Sequence, residues 1–466
     1  MEFTASNLEQ RLFSSNNVFA ETPITEFYAG KSVFITGSTG FLGTLLLGKL
    51  LTTCPIKRVY VLIKPKKGKN VSERLTELLK SMVFDEVRKS NISALENIIP
   101  IIGDITQANL GMSKEYILLL NREIQVVFHS AANIDMSAKL TDTINVNTKG
   151  TAELVRLCKG MQQLQAFVYV STAYSNCNRN LVDERVYEPV TSIDAVYEIY
   201  EKLDKVENAL YLHNLIEGRP NTYTYSKSLA EKIIDSEIVG IPAVIVRPSV
   251  IVSPIKTPLP GWAANWNSVN KVASAISQGV VRCYYGIYDV PFDIVPGDQV
   301  VNLLIAAAWD AHRRQLKKVK VYNCCSTYQN PMSSGHFLSS CARVSRKYSE
   351  KIICTSMMIL TTNRLLFWLM SIFLHTIPAY LLDMLAWLRG NQIRMRKITG
   401  SLVRECGVCE YFGFNSITFI DYNVRHLLRE MNPEDKILFD FDFSAIDWEN
   451  FMKIYIVGLK KYIQRK

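Results

Sequence analysis

The sequence specifies a doubly wound parallel α/β sheet followed by a mainly helical C-terminal region, and three observations predict it. Short, near-continuously apolar runs recur through the first three hundred residues, as strands covered on both faces require. Segments of helical period fall between those runs, the alternation that builds a parallel sheet. A glycine-rich turn, Thr36-Gly37-Ser38-Thr39-Gly40-Phe41-Leu42-Gly43, joins the first run to the first helical segment.

The strands read as Ser32 to Thr36, Arg58 to Ile63, Ile98 to Ile102, Gln125 to His129, Ala166 to Val170 and Ala243 to Arg247. Phe41 to Thr53, Thr148 to Lys159 and Thr222 to Glu237 read as helices. Composition then suggests three regions: a polar N-terminal segment (1–27), a dinucleotide-binding and catalytic domain (28–330), and a helical C-terminal domain (331–466).

Composition bounds the function. A chain of 466 residues with 48% hydrophobic residues has ample core and no signature of disorder. The net charge of +10 suits a polyanionic partner: nucleic acid, an anionic membrane, or a phosphate-rich ligand such as a dinucleotide or coenzyme A. A merely solubilising basic surface is the plainer explanation. Ten cysteines are scattered, and only Cys406-Gly407-Val408-Cys409 has metal-like spacing, with no second pair to complete a zinc site. We expect reduced thiols and no metal. The segment Met1 to Asn17 has no signal-peptide pattern, so the Asn91-Ile92-Ser93 acceptor is expected to go unused.

The glycine turn points to a dinucleotide. Gly37 permits the tight turn, Gly40 lets backbone approach a pyrophosphate, and Gly43 lets the helix pack close. The N–H groups opening the helix at Phe41 and Leu42 then face the phosphates. After the second strand stands a basic run, Lys64, Lys66, Lys67 and Lys69, where NAD enzymes usually carry an acid. That favours NADPH, through its 2′-phosphate. Asp104 and Ile105 follow the third strand, where a carboxylate can bond the adenine amino group. Ala131 and Ala132 follow the fourth, small enough for the cofactor to lie along the backbone.

A reacting centre is nominated by Tyr223 and Lys227, four residues apart on one helical face. A neighbouring ammonium lowers a phenol's pKa toward a useful range. Ser171-Thr172-Ala173 at the end of the fifth strand offers a second hydroxyl, from Ser171 or Thr172, although Ser-Thr pairs also make ordinary turns. Pro248, closing the sixth strand, would set backbone against the nicotinamide carboxamide.

The stretch Leu365 to Leu388, LLFWLMSIFLHTIPAYLLDMLAWL, has 24 residues without Lys or Arg, long enough to cross a hydrocarbon core. Arg364 precedes it; Arg389, Arg394, Arg396 and Lys397 follow. A membrane-embedded or interfacial helix is favoured over a soluble core or acyl-binding helix, with a full span preferred to an interfacial hairpin and a bend expected at Pro378. The tail from Ile446 to Ile463 carries an apolar stripe that reads as core packing.

These phrases together resemble a known family. The glycine turn, the Ser-Thr-Ala turn and Tyr-x-x-x-Lys are similar to the extended short-chain dehydrogenase/reductases. KSVFITG (31–37), YVSTAYSN (169–176), PNTYTYSKSLAE (220–231), VRPSV (246–250), HTIPA (375–379) and SAIDW (444–448) narrow the resemblance to alcohol-forming fatty acyl-CoA reductases, closest to the insect branch. The resemblance implies two NADPH-dependent reductions of a long-chain fatty acyl-CoA to a primary alcohol. Tyr223 and Thr172 would hold the oxyanion, and Lys227 would bond the nicotinamide ribose. It also implies contact with membrane lipid, an endoplasmic reticulum location facing the cytosol, and no nucleic acid partner. Many insect members continue into another apolar segment after the Trp448 region, whereas this chain stops at Lys466. Attachment is therefore expected at Leu365 to Leu388 or by interfacial contact.

Overall fold

The computed structural model describes residues 19–66, 68–202, 214–264, 268–348, 357–390 and 395–463. Most of the N-terminal polar segment, Lys67, Cys354 and Arg394 lie outside them.

Seven parallel strands form one sheet: β1 (Ser32–Thr36), β2 (Arg58–Ile63), β3 (Ile98–Ile102), β4 (Val126–His129), β5 (Ala166–Val170), β6 (Ala243–Pro248) and β7 (Lys320–Cys324). Their order is β7-β6-β5-β4-β1-β2-β3. The order reverses between β1 and β4, which opens a crevice at the strands' C-terminal ends. Strands β1, β4, β5 and β6 are buried throughout. Edge strand β3 is only partly covered, and there Pro100 costs no ladder bond on the open side.

Strand β7 was not expected. Its apolar residues are interrupted by Lys320 and Asn323, so it reads as neither a continuous nor a clean alternating run. Polar anchors compensate for that weak pattern. Asn323 Nδ2 donates to Val182 O (3.1 Å) and Ile420 O (2.7 Å), and Lys320 Nζ reaches Asp310 Oδ2 at 3.0 Å.

The helices that position the site are α1 (Phe41–Thr53), α2 (Val71–Leu79), α3 (Gly150–Lys159), α4 (Thr222–Glu237) and α5 (Gly297–Arg313). Asn70 and Glu73 form a reciprocal cap at the start of α2, and Asn221 caps α4 by accepting from Thr224 N at 2.9 Å. A π-helical turn, Ile144–Lys149, leads into α3, so the helix read from Thr148 opens with a wider turn.

Chain contacts group the protein into two interleaved units instead of dividing it once near residue 330. One comprises 1–249, 297–325 and 419–442; the other comprises 250–296, 326–418 and 443–466. The excursion 419–442 belongs with the sheet through specific bonds. Lys49 Nζ donates to Leu438 O (2.7 Å), Asn302 Nδ2 to Asp440 O (2.8 Å) and Asn423 Nδ2 to Val321 O (2.8 Å).

Asp310 ties α5 to β7. Its fully buried carboxylate accepts from Tyr322 Oη (2.6 Å), Lys320 Nζ (3.0 Å), Arg313 Nε (2.9 Å) and Arg314 Nε (2.9 Å). Burial alone would raise its pKa, but the Tyr322, Lys320 and Arg314 donors outweigh it and hold the group at about 2. A carboxylate depressed below its unfolded value stabilises the fold above that unfolded value, and the gain fades as pH falls toward the folded one. Asp310→Asn is therefore expected to cost about 2 kcal/mol at neutral pH. In urea titrations the gap to wild type should narrow as pH falls below about 4; a gap independent of pH would contradict this account.

Candidate active site

The crevice begins at the glycine turn. Gly37 has φ +78°, and a Cβ there would lie 2.6 Å from Ala131 N. A Cβ on Gly43 would lie 2.2 Å from Gly37 O, so only glycine lets α1 start this close to β1. Gly40 caps α1 without any side-chain hydrogen bond, and its Cβ direction meets nothing nearer than Gly37 O at 3.2 Å. Phe41 and Leu42 form the first turn and remain partly exposed. The turn thus offers a helix N-terminus to an anion with no side chain in the way.

Thr36 ends β1 opposite His129, the last residue of β4. Its Oγ1 lies 2.7 Å from His129 Nδ1 and accepts from Ala131 N at 3.3 Å. Burial, reinforced by the Lys227 charge, pushes the His129 pKa down to about 3, so the imidazole is neutral. His129 Nε2 lies 2.9 Å from Thr151 Oγ1, which donates to Asn147 O at 2.6 Å. The bond pattern then requires the proton on Nε2. Asn147, in the π-turn, holds Asn133 N (2.8 Å) and Asn133 O (3.0 Å) with its amide, and donates to Ser226 Oγ on α4 at 2.9 Å. One buried chain therefore links the glycine turn to the helix bearing Tyr223.

Two of the expected cofactor residues are bonded to each other. Lys64 Nζ lies 2.7 Å from Asp104 Oδ2, while Asp104 Oδ1 accepts from Thr106 N (3.1 Å) and Thr106 Oγ1 (2.8 Å). Burial works against the Asp104 carboxylate, but Lys64 and Thr106 hold its pKa below the usual range. Lys69 pairs with Glu77. The basic run is thus partly neutralised. Arg74, on α2, donates to Lys64 O and to Thr39 Oγ1 (3.3 Å), which sets a guanidinium beside the glycine turn. Ile105 packs against the core cluster beneath the crevice, and Ala131 and Ala132 are partly buried at the end of β4. Pro248 ends β6 opposite Cys324.

On α4, Tyr223, Lys227 and Glu231 follow one another at intervals of four and share a face. Tyr223 keeps part of its surface open and hydrogen-bonds Thr172. Lys227 Nζ donates to Val170 O at 2.7 Å and lies 4.6 Å above the Tyr169 ring. The two hydroxyls after β5 part ways. Ser171 Oγ donates to Glu231 Oε1 at 2.5 Å, whereas Thr172 faces the phenol.

The electrostatics differ from the expectation. Burial raises the phenol to about 12, partly offset by the Thr172 bond, and burial lowers Lys227 to about 7 against the opposing pull of Glu231. Both shifts follow from removing water from the charged forms. Burial thus favours the neutral form of the phenol.

Glu231, Arg247, Asn147, His129 and Arg74 were not singled out from sequence. Glu231 was within reach, since the four-residue spacing that pairs Tyr223 with Lys227 repeats once more. Among the described residues no cluster of His, Cys, Asp and Glu is arranged to hold a metal.

The chain is similar to known proteins over most of its length. A family profile of NAD-binding type, described as male sterility protein, matches residues 35–304, and a second of the same description matches 374–466. Fatty acyl-CoA reductase 1 of Xenopus laevis is 37% identical over 445 residues, covering 94% of this chain and 86% of the relative. The Mus musculus protein of that name is 36% identical over the same shares, and fatty acyl-CoA reductase wat of Drosophila melanogaster is 31% identical over 98% and 89%. Among solved structures, the reductase domain of a nonribosomal peptide synthetase from Mycobacterium tuberculosis has a TM-score of 0.62 at 16% identity, covering 99% of each chain. The terminal R domain of the myxalamid pathway has 0.61 at 17%, covering 98% of this chain and 97% of the other. Those two share the fold. With the glycine turn, the seven-stranded order and the Tyr223–Lys227 face in place, the chain belongs to the fatty acyl-CoA reductases of the extended short-chain dehydrogenase/reductase superfamily.

Proposed function

We propose that the protein reduces a long-chain fatty acyl-CoA to a primary alcohol through the aldehyde, using NADPH and releasing coenzyme A. The observation that carries this reading is a neutral phenol, Tyr223, hydrogen-bonded to Thr172 beside a buried lysine at the sheet's C-terminal edge. The chain also fits the dinucleotide: Gly37 and Gly43 bring the turn, β4 and α1 closer together than any Cβ would allow, and Gly40 opens α1 with no side chain. When bound, NADPH supplies the hydride for both reductions.

Tyr223 and Thr172 donate hydrogen bonds to the thioester oxygen as negative charge develops on it. Their grip holds the tetrahedral oxyanion until it collapses and expels the coenzyme A thiolate, leaving an aldehyde. In the second reduction Tyr223 gives its proton to the alkoxide, which is far more basic than a phenolate. Lys227 supplies positive charge on the same helical face and is the group to bond the nicotinamide ribose. No covalent cysteine is required.

Arg74 and Lys64 are the groups we assign to the 2′-phosphate, since the guanidinium already sits beside Thr39. For location, none of the nine described cysteines is in a disulfide, in keeping with a reducing compartment, and the helix Arg364–Leu388 is long and apolar enough for membrane contact. We place the enzyme on the endoplasmic reticulum, facing the cytosol.

Microsomes containing the protein, supplied with a panel of acyl-CoAs, should yield alcohols with NADPH. Tyr223→Phe should lower the rate by about 10³-fold; alcohol formed at the wild-type rate would remove this proton donor. Arg74→Ala should raise the KM for NADPH about tenfold and leave that for NADH unchanged. Equal effects on both cofactors would place the 2′-phosphate elsewhere. The Lys227 charge is lost as pH rises through about 7, so kcat/KM should fall on the alkaline side with that apparent pKa. A flat profile there would show that the cation is not needed.

A further inference from the structure

The helix Arg364–Leu388 is continuous over 25 residues, with a π-turn at Ile372–Thr376 near its middle. Most of its circumference is bare. Trp368 (58%), Phe373 (65%) and Trp387 (75%) are exposed, and so are Leu365, Ile377, Leu381, Met384 and Leu388. The remaining stripe is different in kind. Phe367, Ser371, His375, Ala379, Asp383 and Ala386 recur at intervals of four or three and face the rest of their own unit.

That stripe is bonded along its length. The Phe367 ring lies 5.5 Å from that of Tyr285, and Ser371 Oγ lies 3.6 Å from Cys283 Sγ. His375 Nε2 accepts from Arg282 N at 2.9 Å, and the Arg282 guanidinium donates to Leu374 O. Asp383 accepts from Met395 N and from Arg396 N (3.1 Å), the opening residues of the next helix, Met395–Val408. The strand Cys283–Tyr285 pairs with Ile359–Thr361, which runs directly into the apolar helix.

These bonds decide between crossing a bilayer and lying on one. In a span, Leu374 and His375 would sit at mid-depth, about 15 Å from either surface. Arg282 and the two-stranded ribbon would be carried there with them. A guanidinium at the centre of the hydrocarbon is strongly disfavoured. With the helix lying in the membrane plane, the polar stripe stays with the protein and the apolar face enters the acyl region. Arg364, Arg389, Arg396 and Lys397, all exposed, then meet one layer of headgroups. A second copy of this helix would bring cationic ends against cationic ends in either direction.

Resting on the membrane contact proposed above, we infer that Arg364–Leu388 is a monotopic docking surface, seated in one leaflet of an anionic membrane and not crossing it. This reverses the span that hydropathy favours.

The test introduces Asn363→Cys and Gly390→Cys, singly, into the full chain made in sealed microsomes. A membrane-impermeant maleimide is added before and after detergent, and the labelled peptides are mapped by mass. The two positions should share one fate, both labelled in intact vesicles or both only after detergent; opposite fates would show a span and overturn the inference. Separately, the purified chain is floated with phosphatidylcholine vesicles with and without phosphatidylserine. Binding should be stronger with phosphatidylserine. A Phe373→Glu, Trp387→Glu double variant should bind about tenfold more weakly while keeping its NADPH-induced thermal shift. Unchanged binding by that variant would also overturn the docking surface. A wild-type chain that binds neither vesicle, or self-associates through this helix, would sink the membrane reading itself.

Discussion

The buried pair of Glu231 and Arg247 is the interaction on which the site's geometry depends. Arg247 meets the carboxylate with Nε (2.9 Å) and Nη2 (2.7 Å), and Ser171 and Ser175 donate to Glu231 Oε1. Arg247 spends its other donors on Asp183 O and Arg185 O. Both charges are almost wholly removed from water, so the pair is tolerable only because each is hydrogen-bonded on several sides. Removing one partner from such a pair costs about 3–5 kcal/mol, since the other is left uncompensated. The geometric consequence matters more. Glu231 fixes α4 against β5 and β6 in one register, and that register sets Lys227 one turn on and Tyr223 two turns on.

From that placement the electrostatics follow. Burial lowers the Lys227 pKa and raises that of Tyr223 by the same mechanism, because each charged form loses its hydration. Sequence reasoning expected the ammonium to acidify the phenol. The structure instead points Lys227 at Val170 O and joins Tyr223 to Thr172. A phenol held protonated suits a reductase, whose need is a proton to give. A dehydrogenase running toward the carbonyl would need the phenolate.

Much of this was legible in the sequence, and the reasons are physical. The central strands are buried on both faces, so their apolar runs are unbroken, and helix α1 is announced by a glycine turn that nothing else explains. Strand β7 was hidden because Lys320 and Asn323 break its apolar pattern, although Val321, Tyr322 and Cys324 are buried and the two polar residues are anchored by hydrogen bonds. The π-turn was hidden because a wider turn leaves no periodic trace over six residues. Of the site, Tyr223 and Lys227 were found through spacing; strand-end position offered Ser171 and Thr172 alike, and resemblance to related reductases chose Thr172. Lys64 and Asp104 were found separately, yet their mutual ion pair was not, for it joins residues forty positions apart. Arg74 was missed for the same reason: its partner Thr39 lies on another element.

Hydropathy averages around a helix, and this limits what it says about a membrane. Leu365 to Leu388 scores as a span because its exposed residues are nearly all apolar. Ser371, His375 and Asp383 then count as minor blemishes, although they share one stripe and each is bonded to its own unit. A span and a surface-lying helix can therefore have one composition and differ only in where the polar residues point. The distinction bears on chemistry. An enzyme of this kind takes a substrate with a soluble coenzyme A head and an insoluble acyl tail, and yields an alcohol that partitions into lipid. A helix resting in one leaflet keeps the folded units on the side where the thioester, the dinucleotide and the released thiolate are dissolved, with the acyl region at hand for the product.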